Sequence, residues 1–113
     1  MARDRVCGAI IRDESILMVR IADEDKEFWT LPGGGIEYNE TQEEAVIREV
    51  KEEVNLDVRV KLKLFEMEYV HGMDYCFLCE TINNEQPQLG HDPELLRSEG
   101  NTNEIRDAFF NRV

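Results

Sequence analysis

Apolar and polar positions along this chain change period several times, and each change marks an element. Residues 5 to 12, RVCGAIIR, and 16 to 21, ILMVRI, are rich in β-branched side chains and are separated by Asp13, Glu14 and Ser15. That pattern predicts an antiparallel hairpin closed by a short polar turn. After a charged loop at 21 to 27, FWTLP is short and aromatic and reads as a third strand leading to three consecutive glycines. The spacing then shifts to threes and fours: Val46, Ile47, Val50 and Val54 predict one helix from about 42 to 54 with a single face on a core. Thr41 and Glu44 mark its start as a capping box, each side chain taking an otherwise orphaned backbone N–H. From 58 onward Val58, Val60, Leu62 and Leu64 alternate with Arg59, Lys61 and Lys63, the signature of a strand with one wet face. His71 and Gly72 suit a turn, YCFLCETI at 75 to 82 a more buried strand, and NNEQPQ at 83 to 88 its end. The tail from Gly90 to Asn103 is polar and weakly patterned, and EIRDAFFNRV reads as a final short strand. Strands, then a helix, then strands give an α+β class with a mixed sheet.

Length and charge bound what such a domain can do. At 113 residues the chain supports one core and therefore one domain, 1–113, with no repeat and no interdomain linker. Thirteen basic against twenty-five acidic residues leave a net charge of −12, which repels duplex nucleic acid and anionic membrane surfaces alike. A chain this acidic handles phosphates only where a local cation inverts the sign of the site. No apolar run approaches the roughly 20 residues that span a bilayer, the N-terminal MARDRVCGAI lacks a secretory apolar region, and the cysteine count is odd at three. The expectation is a cytoplasmic protein.

The candidate chemistry sits in LPGGGIEYNETQEEAVIREVKEEVNL, residues 31 to 56. On a helix, Glu49, Glu52 and Glu53 share one face, where each like-charge pair costs about 0.2 to 0.5 kcal/mol. A bound divalent cation accounts for keeping them: Mg²⁺, with Mn²⁺ as the alternative, takes a few carboxylates, some waters and substrate phosphates. Arg48, four residues from both Glu44 and Glu52, is placed to orient a carboxylate. Gly33, Gly34 and Gly35 predict a loop whose backbone adopts conformations closed to other residues and lies close to a ligand, with Pro32 stiffening its entry.

Gly34, five residues, Glu40, seven residues, Arg48-Glu49-Val50-Lys51-Glu52-Glu53 and then Asn55-Leu56 resemble the signature box of the Nudix hydrolases over residues 34 to 56. Asn55 stands where the family usually has glycine, at a helix end that favours a left-handed residue, a conformation asparagine tolerates next best. The resemblance implies an αβα sandwich on a mixed sheet over about residues 3 to 82, lacking the C-terminal helix that usually covers one sheet face. Either the sequence stops short of that helix or a second subunit covers the face, and the expectation is a homodimer. It implies Glu49, Glu52 and Glu53 as metal ligands, one of them also a base, with Glu40 and Arg48 holding loop and helix. The reaction implied is attack by water on phosphorus in a nucleoside diphosphate linked to another group, which needs metal to neutralise the diphosphate and lower the pKa of water. A nucleotide-binding sensor without turnover is the second reading, and metal storage or scaffolding a distant third.

Other residues weigh less. Cys76 and Cys79 form a CxxC on a strand, where positions three apart face opposite sides, so they read as core. His71 and His91 read as turn or surface residues, and Trp29 as packed under the glycine loop. Tyr75 is a weak candidate for stacking on a nucleotide, near where dinucleoside-polyphosphate members of the family carry a tyrosine. Glu99 or Glu104 could supply a further base, with nothing local to choose between them.

Overall fold

A computed structural model describes residues 3 to 22, 25 to 89 and 104 to 112. Seven strands and one helix follow in the order β1 (Arg5–Arg12), β2 (Ser15–Ala22), β3 (Glu27–Thr30), β4 (Gly33–Gly35), α1 (Gln42–Val54), β5 (Val58–Tyr69), β6 (Gly72–Thr81) and β7 (Glu104–Arg112). The central path of the sheet runs β3-β2-β1-β6-β5, with β4 added to β1 and β7 to β2. Pairing is antiparallel except between β1 and β6, so the sheet is mixed as predicted.

β1 and β2 form the predicted hairpin, closed between Arg12 and Ser15 by Asp13 and Glu14, both at positive φ (48° and 65°). Two left-handed residues twist the turn in the same sense as its strands. β1 then serves as the spine. Residues 5 to 7 pair with β4, 11 and 12 with β2, and 5 to 10 with β6.

α1 begins at the predicted capping box, with Thr41 accepting from Glu44 N and Glu44 accepting from Thr41 N. Asn55 ends it in the left-handed conformation (φ 57°, ψ 37°), its N–H donating to Lys51 O. The helix packs Ala45, Val46, Val50 and Val54 against Val6, Ile10, Phe77 and Cys79 of the sheet. Ile47, expected on that stripe, is partly exposed. One residue along an α-helix turns the side chain by about 100°, so Val46 and Ile47 cannot both face the core, and Glu49 takes the buried place instead.

β5 departs from simple alternation. Val58 and Val60 pair with Thr81 and Cys79, but two bulges follow, between Val60 and Leu62 and between Lys63 and Phe65. Each bulge inserts a residue and exchanges the two faces of the strand. From the first bulge onward Lys63 and Glu66, opposite Phe77 and Tyr75, face the α1 side, whereas Leu62, Phe65 and Met67, opposite Leu78, Cys76 and Asp74, face away. Leu62, Leu64, Phe65 and Met67 are all about half exposed, so the predicted buried face does not continue past Val60. Among the described residues α1 is the only helix, it covers one face of the sheet, and it is too short to cross a membrane.

β7 covers the final strand expected over EIRDAFFNRV, pairing with β2 from Ser15↔Arg112 to Ala22↔Glu104. Trp29 is not under the glycines. It is nearly half exposed on β3, with its ring 6.0 Å from that of Phe109 on β7. The CxxC reading as core holds: Cys76 and Cys79 are buried, with Cys79 in the α1 core and Cys76 in register with Cys7. All three cysteines are free, and burial pushes the Cys79 thiol up to about 12.

Candidate active site

The three glycines are a strand rather than a loop. β4 pairs antiparallel with β1 through Arg5↔Gly35, Val6↔Gly34 and Cys7↔Gly33. None of the three has positive φ, so glycine is required here for space and not for torsion. A Cβ on Gly33 would lie 2.1 Å from Val6 O, and one on Gly34 would lie 2.5 Å from the Glu49 carboxylate. The backbone of β4 is therefore the wall against which the acidic face of α1 closes.

That face is only partly in water. Glu49 is fully buried and Glu53 is 4% exposed, while the Glu52 side chain keeps 26% of its surface. Glu53 Oε2 accepts from Gly33 N at 3.1 Å. Ionised carboxylates this deep need charge-assisted partners, because an uncompensated buried charge costs several kcal/mol.

Arg48 supplies much of that compensation. Its Nη1 donates to Glu49 Oε1 at 2.9 Å and to Glu52 Oε2 at 3.2 Å. Nε and Nη2 reach Glu40 at 2.6 and 2.9 Å in a two-pronged pair, and Nη2 also reaches Gly35 O at 2.9 Å. One guanidinium thus ties helix, β4 and the 36 to 41 connection together, a geometry that its fixed fork allows and a lysine could not reproduce. The hydrogen bonds that Arg48 donates to Glu40 hold the Glu40 carboxyl below its ordinary range and raise the Arg48 pKa. Glu40 Oε1 in addition accepts from Glu37 N. Of the two helical partners predicted for Arg48, Glu52 is engaged, while Glu44 is occupied by the cap.

The donor set fits a hard divalent cation, since all three candidates are carboxylates and two line a wall that admits only glycine. The acids are nonetheless held apart as an Arg48 network: among the described residues no group of three His, Cys, Asp or Glu side chains is drawn together as a ready-made metal cluster.

Tyr75 lies on this same side of the sheet. Val6 pairs with both Gly34 and Tyr75, so Tyr75 sits two strands from the Glu49 wall, partly buried against the α1 core. Lys63 Nζ stands 4.9 Å from the centre of its ring. Sequence reasoning missed Lys63 because the bulge that turns it to this face leaves no mark in the alternation. His71 is in the β5–β6 turn, edge-on to Tyr69. His91 and Glu99 lie outside the described residues, and Glu104 is on β7.

A family model for the NUDIX domain matches residues 1–110. An ADP-ribose pyrophosphatase from Methanocaldococcus jannaschii is 46% identical over 57 residues, half of this chain and 34% of that protein. An NAD-capped RNA hydrolase, NudC, from Photorhabdus laumondii is 34% identical over 92 residues, 79% of this chain and 34% of that protein. The chain thus spans about a third of the length of these relatives. Among solved structures, a NUDIX hydrolase from Nitrosomonas europaea superposes with a TM-score of 0.79 at 18% identity, over 98% of this chain and 57% of that one.

Proposed function

The chain belongs to the Nudix family, and from that premise we propose that it hydrolyses the diphosphate bond of a nucleoside diphosphate linked to another group, with Mg²⁺ or Mn²⁺ held by Glu49, Glu52 and Glu53. One observation carries the reading: Glu49 and Glu53 are buried on a single helical face, against a strand where a side chain at Gly34 would strike the Glu49 carboxylate. Buried anions are costly, and their retention fits a site that collects positive charge. The relatives point the same way, as an ADP-ribose pyrophosphatase and an NAD-capped RNA hydrolase.

In this reading Arg48 holds the Glu49 and Glu52 carboxylates in position, and Glu40 fixes Arg48 in turn. A divalent metal would neutralise the diphosphate oxygens and lower the pKa of the attacking water. One of the three carboxylates takes the water's proton at a side-chain oxygen. Glu53 is so placed that Gly33 N can fix its orientation through Oε2. Gly33 to Gly35 form the backbone wall beside the substrate. The apolar side chains open on β5 favour a homodimer.

The test is a panel of nucleotides, dinucleotides and sugar nucleotides with Mg²⁺ or Mn²⁺, scored by release of phosphate or nucleoside monophosphate. Glu53→Gln retains an acceptor for Gly33 N and should lower kcat at least a hundredfold without moving Tm. Turnover at the parental rate would overturn the assignment of this helical face.

A further inference from the structure

The α1 side of the sheet carries one continuous row across four strands: Gly34 opposite Val6, Val6 opposite Tyr75, Tyr75 opposite Glu66. The row begins under the Glu49 carboxylate. With neighbouring strands about 4.8 Å apart, its Tyr75 position lies about 10 Å from the wall of the acidic site, roughly the reach of one nucleoside or sugar. Standing over that position is an ammonium. Lys63 Nζ is 4.9 Å from the Tyr75 ring centre and 5.8 Å from that of Phe77, and it pairs with Glu66 Oε2 at 3.3 Å. Its side chain is 39% exposed, so the charge is open to a ligand.

We propose that Lys63, braced on the Tyr75 ring and held in reserve by Glu66, is a specificity-determining residue that receives a second anionic group of the substrate, a phosphate lying one nucleoside or sugar away from the diphosphate that is cleaved. This rests on the reading of the acidic face as the diphosphate site. The first bulge in β5, between Val60 and Leu62, turns Lys63 to this side, where the strand's earlier alternation would have sent it away from α1. The aromatic floor fixes the ammonium by cation–π attraction and lowers the entropy lost when it meets an anion. Glu66 occupies Lys63 until a more highly charged oxygen displaces it. In a chain of net charge −12, such a residue favours ligands that carry charge at both ends.

The experiment compares ligand pairs that differ by one phosphate, NAD against NADP and dephospho-coenzyme A against coenzyme A. Affinity is read by calorimetry with Mg²⁺ in the Glu53→Gln background, and KM and kcat in the parent. The phosphorylated member should bind roughly tenfold more tightly, the gain of one charge-assisted contact. Lys63→Met keeps the hydrocarbon stem over the rings and should remove that ratio through KM, with kcat and the unphosphorylated partner's affinity unchanged. Glu66→Gln should widen it. A ratio near one in the parent, a ratio that survives Lys63→Met, or one that narrows in Glu66→Gln overturns the inference while leaving the hydrolase reading intact. A parent that neither binds nor cleaves any member overturns the inference, and only silence across the full nucleotide panel removes the hydrolase reading as well.

Discussion

The two ends of the row from β4 to β5 are built on opposite rules. Where β4 meets α1 the polar groups are buried against a strand without side chains: three glycines, two buried glutamates and one arginine whose five donors are nearly all spoken for. At β5, Leu62, Leu64, Phe65 and Met67 stand in water while Lys63 and Glu66 turn to the α1 side. At these two ends burial follows backbone geometry more closely than hydropathy, although the core between them is apolar. A strand of glycines lets carboxylates approach the sheet, and two bulges move leucines off it.

The sharpest way to break the contrast is to remove its central cation. Arg48→Met should destabilise the metal-free protein by about 3 kcal/mol, because it leaves Glu49 buried without its guanidinium. Millimolar Mg²⁺ should restore part of that loss by replacing the missing charge, as read from urea unfolding with and without the ion. Equal stability of parent and variant would mean that these carboxylates are compensated elsewhere.

Acid should act more gently on the same network. Glu40 is held ionised below the ordinary glutamate range, chiefly by its hydrogen bonds to Arg48. A carboxyl whose folded pKa is depressed contributes stability above its unfolded value and loses it as the pH falls through the folded one. Parental stability should therefore decline as the pH drops below the ordinary glutamate range. Glu40→Gln should be less stable near neutrality and should show a shallower decline. Parallel pH profiles would remove Glu40 from the account.

The smallest effect belongs to the far end. Replacing Leu62 and Met67 by threonine should cost less than about 1 kcal/mol each, since these side chains are half exposed already. Should the protein be a dimer, the same substitutions should shift it toward monomer in light scattering. An unchanged dimer would place its interface elsewhere.

Much of this was legible in the chain. The helix boundaries followed from Thr41, Glu44 and Asn55, because caps are local chemistry written in adjacent residues. The hairpin was equally plain. The acidic face, its arginine and the glycines stood out by spacing alone, but the reason for the glycines did not: they read as a flexible loop, and they are a strand emptied of side chains so that Glu49 can approach. Nor could spacing give the preference of Arg48 for Glu40 over Glu44, since Glu40 lies off the helix and is brought back by the fold. The β5 bulges, the exposure of Trp29 and the pairing of β7 with β2 depend on partners distant in sequence, and those partners cannot be read from any window of a few residues.

The pairing of β7 with β2 has a consequence for how the chain is made. β2 is flanked on one edge by β3, which follows it almost at once in the chain, and on the other by residues 104 to 112, which are made long after it. Until those residues have been made, Leu17, Met18 and Val19 sit on a strand with one open hydrogen-bonding edge, a template for neighbouring nascent chains. Expression slowed or cooled enough to keep such chains apart should raise soluble yield more than any change near the acidic helix.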